Sequence, residues 1–281
     1  MIKSILVGLE SAENNPIVTK YAMELGKFFN AGVTGMHVLD IRKLYSPFVE
    51  DVFYSMGMAS VPNFQDIVRK RLMEIREILR DSFEHELKDH GVRGEFRSSE
   101  GIVSEILTAE SHSHDLLVIG TKGERFRVAE ILLGSTFEEV VRRVNRPIIV
   151  VPAACQKFYV KKILLAYDGS DKASNALQFV VNAIEGRGIA LEYLVVQDSL
   201  IEDAQAAFAE GKRYLENRSV PYQATLLQGE AVELILQHAK LHHCDMIVMG
   251  SYDRSFLKNL LLGSTTEELL SKVNLPTLLM R

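Results

Sequence analysis

The chain has 281 residues, 47 % of them hydrophobic and 25 % charged, with a formal net charge of −5. That length exceeds one typical domain and suits two. The acidic balance gives no reason to expect nucleic acid as a partner, which would need a basic surface, and no run of about 18 apolar residues offers a membrane span.

The first strand is expected over Ile2–Leu9, a short apolar run of the kind buried on both faces. A helix follows over Pro16–Phe29, with apolar residues at Ile17, Tyr21, Leu25 and Phe28. Gly32–Leu39 reads as a second strand. Asn63–His90 reads as a long charged helix with its seam at Leu72, Ile75, Leu79, Phe83 and Leu87 and its stop at Gly91. A weak strand at Gly94–Ser98, a helix at Ile102–Ser111, a strand at Asp115–Gly120, a helix at Ser135–Val144 and a strand at Pro147–Val151 complete the first half.

The second half repeats this order. Its strands are expected near Lys162–Tyr167, Ala190–Val196, Gln223–Leu227, Asp245–Gly250 and Pro276–Met280, and its helices near Ala173–Ala183, Glu202–Arg218, Ala231–Leu241 and Ser264–Val273. The repeat is visible in the residues. ILLGSTFEEVVRRVNRPIIVV (131–151) matches LLLGSTTEELLSKVNLPTLLM (260–280), with Gly134 opposite Gly263 and Pro147 opposite Pro276. Glu10 stands opposite Asp168. The second copy is shorter, chiefly because Asp40 to Pro62 has no counterpart. The expected boundaries are domain 1 over 1–152 with the insert 40–62, a linker over 153–160, and domain 2 over 161–281. Alternating strands and helices imply parallel sheets with helices on both faces. Ligands of such folds bind beyond the carboxyl ends of the strands, beside the first strand.

Two loops of each copy should meet there. One follows the first strand: Gly8, Glu10 and Ser11, or Asp168, Gly169 and Ser170. A carboxylate here can bind a ribose hydroxyl, a base amine or a metal, or the loop can simply cap the next helix. The other follows the fourth strand, running from Gly120 through Lys122, Gly123, Arg125 and Arg127 to Gly134, Ser135 and Thr136. Glycines let backbone approach an anion, and the helix entered at Ser135 aims free N–H groups at it. The loop is neither a P-loop nor GxGxxG.

The spacing Gly120, Gly123, Gly134-Ser135 resembles the universal stress protein motif G-2x-G-9x-G-(S/T), with ten residues in the long gap. Gly250, Gly263, Ser264 and Thr265 resemble it in copy two, where Asp253 replaces the second glycine. The resemblance covers nearly the whole chain in two copies. It implies two tandem flavodoxin-like or Rossmann-like domains, each a five-stranded parallel sheet in the order 3-2-1-4-5. It also implies pairing through the last strands, here Ile148–Val151 and Thr277–Met280. In nucleotide-binding members an acid after strand one and a valine late in strand two contact the nucleoside. These correspond to Glu10 or Asp168 and to Val38 or Val196, while the glycines and Gly-Ser hold phosphates. ATP or another adenine nucleotide, with Mg, is therefore the expected ligand. Copy one keeps both glycines but has Glu10 for the usual Asp. Copy two keeps Asp168 but sets Asp253 against the phosphates, a repulsion of about 1 kcal/mol or more. Copy one is the expected site.

Other features point less far. His112 and His114, and His242, His243 and Cys244, recur before strand four and invite a metal reading. But i, i+2 residues share no helix face, and polar residues ending a helix account for them, so no metal site is expected. Neither cysteine belongs to a CxxC pair, which argues against disulfides and structural zinc. The apolar N-terminal stretch is too short for a signal-peptide core, so the cytoplasm is the expected compartment. Insert residues such as Tyr45, Phe48, Phe53 and Met56 suit a lid over a ligand or, in keeping with their apolar content, a flap packed on the partner domain. No general base or nucleophile elbow is evident, so any ATP turnover would be slow. The expected function is stress-response regulation by a bound nucleotide. The alternatives are a nucleotide-free scaffold for protein or apolar partners, homodimeric or not, and a slow ATP hydrolase.

Overall fold

The computed structural model describes residues 2–9, 15–44, 64–121, 135–155, 158–197, 203–250 and 264–281. In copy one, β1 (Ser4–Leu9), β2 (Gly32–Asp40), β3 (Gly94–Gly101), β4 (Leu116–Gly120) and β5 (Ile148–Val151) alternate with helices. The helices are α1 (Asn15–Phe29), α2 (Ile41–Leu44), α3 (Phe64–His90), α4 (Val103–Ser111) and α5 (Ser135–Arg143). Copy two supplies β6 (Lys162–Ala166), β7 (Ala190–Gln197), β8 (Tyr222–Gln228), β9 (Met246–Gly250) and β10 (Thr277–Met280). Its helices are α6 (Asp171–Ile184), α7 (Ala204–Glu216), α8 (Ala231–Leu241) and α9 (Ser264–Lys272).

All ten strands form one sheet in the order β3-β2-β1-β4-β5-β10-β9-β6-β7-β8. Each copy is thus a parallel 3-2-1-4-5 unit, as the family resemblance implied. At the centre β5 and β10 run antiparallel, with Leu278 opposite Ile149. Successive strand residues point to opposite faces, and both faces are covered. Ile5, Val7, Ile163 and Leu165 belong to the core under α1, α3, α6 and α7, while Leu6, Leu164, Leu194 and Val196 belong to the core under α4, α5, α8 and α9. That double burial is why these strands read as apolar runs. The outer strand β3 is mostly exposed and carries Glu95, Arg97 and Glu100, which blunt it as an edge.

Registers make the copies comparable residue by residue. Ile5 pairs with Val33 and Leu116 just as Ile163 pairs with Leu191 and Met246, so Gly35 corresponds to Tyr193. Val33 pairs with Gly94 and Leu191 with Tyr222, so Phe83 corresponds to Gly211. In copy one the buried ring belongs to the helix: a Cβ on Gly35 would lie 2.7 Å from the Phe83 ring. In copy two the ring belongs to the strand, and a Cβ on Gly211 would fall inside Tyr193. One aromatic volume is filled from opposite sides.

The copies are also tied across the seam. Phe158 packs edge-on against Tyr21 at 5.1 Å, and Arg187 stacks over Phe28 at 4.3 Å while donating to its carbonyl. An apolar cavity of about 40 Å³ remains there, lined by Phe28, Phe29, Phe158, Phe179, Ile184 and Leu278 among others. That is room for a few water-sized molecules at most, far below a small-molecule pocket of several hundred Å³. Among the described residues no helix is long and apolar enough to cross a membrane.

Candidate functional site

The carboxyl ends of the copy-one strands carry a polar knot. Asp40 ends β2, and its carboxylate, 8 % exposed, takes three hydrogen bonds from the Arg42 side chain at 2.9 to 3.2 Å and one from the Arg42 amide at 3.0 Å. Residues 41–44, the start of the insert, form a short helix that follows this Asp40 turn. Arg42 Nη2 also donates to Thr136 Oγ1 at 3.3 Å, in the first turn of α5. Its Nη1 faces Glu139 at 3.9 Å, beyond hydrogen-bond reach. Glu139 in turn accepts from the buried Ser104 of α4 at 2.7 Å. The bonds to Asp40, outweighing burial, hold the guanidinium protonated even more firmly than usual. A fixed cation therefore stands beside the opening turn of α5, where the helix dipole already favours anions.

Copy two builds the same end differently. Asp168 does not cap α6 itself. It accepts from the amide and hydroxyl of Ser170 at 3.0 and 2.6 Å, and Ser170 Oγ caps the helix by accepting from Ala173 N. Gly250 packs tightly on this turn: a Cβ would lie 2.7 Å from Ala173 N. Beneath it the Tyr167 hydroxyl lies 2.9 Å from Ser174 and donates to Glu210 at 3.0 Å. Burial above all pushes that phenol up to about 12. Glu230 occupies the start of α8, accepting from the amides of Val232 and Glu233. The corresponding helix α4 opens on Ile102 with no side-chain cap.

Of the residues selected from sequence, Val38 and Val196 are buried at the ends of β2 and β7, and Ser135 and Ser264 open α5 and α9. Thr136 joins the Arg42 knot, and Thr265 lies partly buried in the first turn of α9. Gly8 is filled around by Ile119 and Leu107, and Gly120 by Val18, so both serve packing at the crevice floor. Glu10, Gly123, Gly134, Asp253 and Gly263 lie outside the described residues, as does the insert from Tyr45 on. Sequence reasoning missed Asp40, Arg42, Ser104 and Glu139. Asp40 ends β2, and Arg42 and Ser104 stand in the first helical turn beyond a strand, the position that could have flagged these three; Glu139 lies one turn into α5.

In copy one the two histidines lie at the end of α4, His112 as its C-cap. His114 is buried, with Nδ1 2.8 Å from the Glu110 carbonyl. In copy two His242 faces neither His243 nor Cys244 as a set. It joins His238 and Glu192, whose donor atoms all lie within 4.8 Å of one another. Burial, the larger influence, draws the His238 imidazole below its ordinary value against the pull of Glu192.

Comparison with known proteins fits this architecture. The sequence model of the universal stress protein family matches residues 1–152 and again 160–281. Universal stress protein Slr1230 of Synechocystis sp. is 30 % identical over 169 residues, 59 % of this chain and 58 % of that protein, so the match spans under two thirds of its length. A universal stress protein of Mycolicibacterium smegmatis is 23 % identical over 295 residues, covering 99 % of this chain and 96 % of that protein. The crystal structure of a universal stress protein from Archaeoglobus fulgidus shares the fold with a TM-score of 0.72 at 18 % identity, over 99 % of this chain and 98 % of that one. The chain belongs to the universal stress protein family.

Proposed function

We propose that this universal stress protein is a stress-response regulator that binds an adenine nucleotide in its first copy, residues 1–152, while the second copy, residues 161–281, serves as its structural counterpart. The observation that supports this most is the hydrogen bond from Arg42 to Thr136 at the opening turn of α5. It sets a guanidinium where the family resemblance puts phosphates, with Gly120, Gly123, Gly134 and Ser135 as the backbone cradle. Asp40 occupies one edge of Arg42, which fixes the direction of the other. Glu10 and Val38 would hold the nucleoside, and Mg²⁺ would offset the remaining phosphate charge. The second copy, by contrast, commits Asp168 to Ser170 and places Glu230 on a helix start. A carboxylate there repels an anion.

The knot offers no positioned water-activating base, since Asp40 and Glu139 are engaged by Arg42 and Ser104. Regulation by occupancy in the cytoplasm, with turnover at most slow, is the reading that follows. The test is nucleotide retention and affinity. Denatured, freshly purified protein should release ATP, ADP or AMP, and Mg-ATP should raise the melting temperature. Arg42→Ala and Gly123→Asp should each weaken binding at least tenfold, whereas Asp168→Ala should not. No released nucleotide and no thermal shift would refute the reading. Loss on Asp168→Ala alone would move the site to copy two.

A further inference from the structure

At the opposite end of the sheet from that crevice lies a cluster the nucleotide reading does not use. Glu192 is the third residue of β7, near its amino end, and its carboxylate is only 2 % exposed within an otherwise apolar strand. A buried charge persists only where partners compensate it. Lys162 takes one oxygen, with Nζ 3.3 Å from Oε1. The other oxygen faces two imidazoles. His238 Nε2 lies 3.3 Å and His242 Nδ1 3.4 Å from Oε2. These histidines are one turn apart at the end of α8 and share a face, with rings stacked at 4.0 Å and 16°.

The separations carry chemical information. The His238 contact is a long hydrogen bond, as the Arg42–Thr136 one is, and both separations exceed the usual N–H···O length of about 2.9–3.0 Å. They equal the edge of a tetrahedron of donors around a metal at about 2.0–2.1 Å, which is roughly 3.3–3.4 Å. We propose that Glu192 Oε2, His238 Nε2 and His242 Nδ1 form a binding site for a divalent transition metal of the zinc class, with the fourth coordination position open. Two imidazoles and one carboxylate suit zinc, cobalt or nickel rather than calcium or magnesium. Lys162 on Oε1 orients the carboxylate as an outer partner does. His242, with its side chain 28 % exposed, is the edge through which the ion enters. Small rotations of the two rings out of their stack bring both lone pairs onto the ion.

The cluster is a property of copy two alone. The corresponding positions in copy one are Thr34, Thr108 and His112, with Ser4 in place of Lys162. Thr108 spends its hydroxyl on the Ser104 carbonyl at 2.6 Å, and His112 is exposed. The scaffold therefore does not require the Glu-His-His set.

The full chain, stripped with EDTA and freed of chelator, is titrated with Zn²⁺ by calorimetry and with Co²⁺ by visible absorption, without nucleotide. One equivalent of each should bind per chain, Co²⁺ should show the intense bands of four-coordinate geometry, and Zn²⁺ should raise the melting temperature. His238→Gln and His242→Gln should each weaken Zn²⁺ binding at least tenfold, while His112→Gln leaves it unchanged. His242 is partly exposed at the end of α8, and its variant should keep the far-ultraviolet circular dichroism of the parent. Less than one equivalent bound at micromolar Zn²⁺, or parental affinity in His242→Gln, overturns the proposal.

Discussion

The two halves of the chain share topology, register and a common sheet, yet their buried carboxylates, Asp40 and Glu192, lie at opposite ends of the strands. Copy one concentrates charge at the carboxyl ends of its strands, in Asp40, Arg42, Thr136 and Glu139. Copy two closes that end with Ser170, Tyr167 and Glu230. Its buried carboxylate lies instead at the amino ends, where Lys162, His238 and His242 surround Glu192. The apolar core, which fixes the fold, tolerates this because it asks only that both sheet faces be covered. Duplication kept what packing demands and let the rims diverge.

The sharpest way to break the comparison is through the exchanged ring. If Gly35/Phe83 and Tyr193/Gly211 are two solutions to one packing problem, they should be convertible. Phe83→Gly should cost about 4–6 kcal/mol, from the emptied ring volume and a helical glycine. Gly35→Phe alone should also destabilise severely, because two rings would then claim one space. The double variant Gly35→Phe with Phe83→Gly should recover at least half of the summed loss by denaturant unfolding. The reverse exchange in copy two should recover less by about 1 kcal/mol. Tyr193 donates a buried hydrogen bond to the Ala207 carbonyl at 2.8 Å that a phenylalanine cannot make. Additive losses in both copies would show that the swap is coincidental.

The next largest effect concerns the charged rim. Arg42→Ala should lower nucleotide affinity by about 1.5–3 kcal/mol, the worth of a charge-assisted hydrogen bond to an anion. Glu230→Gln should leave it unchanged, because that carboxylate belongs to the copy without a site. Equal losses from both substitutions, measured by equilibrium titration, would make the copies functionally alike.

Much of this was readable in the chain. The strands were, because a strand buried on both faces is a short apolar run bounded by turn residues, as in Leu116–Gly120 and Met246–Gly250. The repeat gave the pairing of elements without any geometry. The candidate site was less legible, for two physical reasons. Arg42 lies in a segment copy two lacks, so the internal comparison carried no signal there, and Asp40 was grouped with the insert rather than with the end of β2. Glu192 is far from His238 and His242 in sequence, and only folding α8 back over β7 joins them. The spacing of His238 and His242 was the available clue, overshadowed by the adjacent His242 and His243. At the first-strand loop Asp168 and Ser170 were both plausible caps, and only geometry separates the cap from its brace.

A smaller effect probes the clamp both copies keep. Asp115 Oδ2 accepts from the amides of Lys3 and Ser4 and from the Ser4 hydroxyl, at 2.7 to 3.2 Å. Asp245 Oδ2 accepts from the amides of Lys161 and Lys162. Asp115→Asn should cost about 1–2 kcal/mol and Asp245→Asn somewhat less. Partial burial raises the Asp115 carboxyl, but its donors prevail and hold it below the usual range. Its contribution is therefore complete above the unfolded carboxyl value near 4 and fades as pH falls through the lower folded value. The parent and Asp115→Asn should converge in stability at acid pH, and a gap that persists there would exclude the clamp.

The smallest effect lies on the seam. Glu138 on α5 is raised above the ordinary glutamate range, first by burial and then by the charge of Glu267 on α9. A carboxyl raised by folding favours the protonated native state, so its ionisation opposes folding at neutral pH and the penalty disappears as pH falls through the folded value. Glu138→Gln should therefore stabilise the chain near pH 7 by a few tenths of a kcal/mol, since repulsion between partly exposed charges is well screened. The gain should shrink as pH falls and as salt rises. Glu267→Gln removes the repulsion but not the burial, so it should help less, although the two residues are near-equivalents in sequence. If the two variants stabilise equally, the seam is electrostatically symmetric, and the divergence of charge between the copies is confined to the ends of the strands.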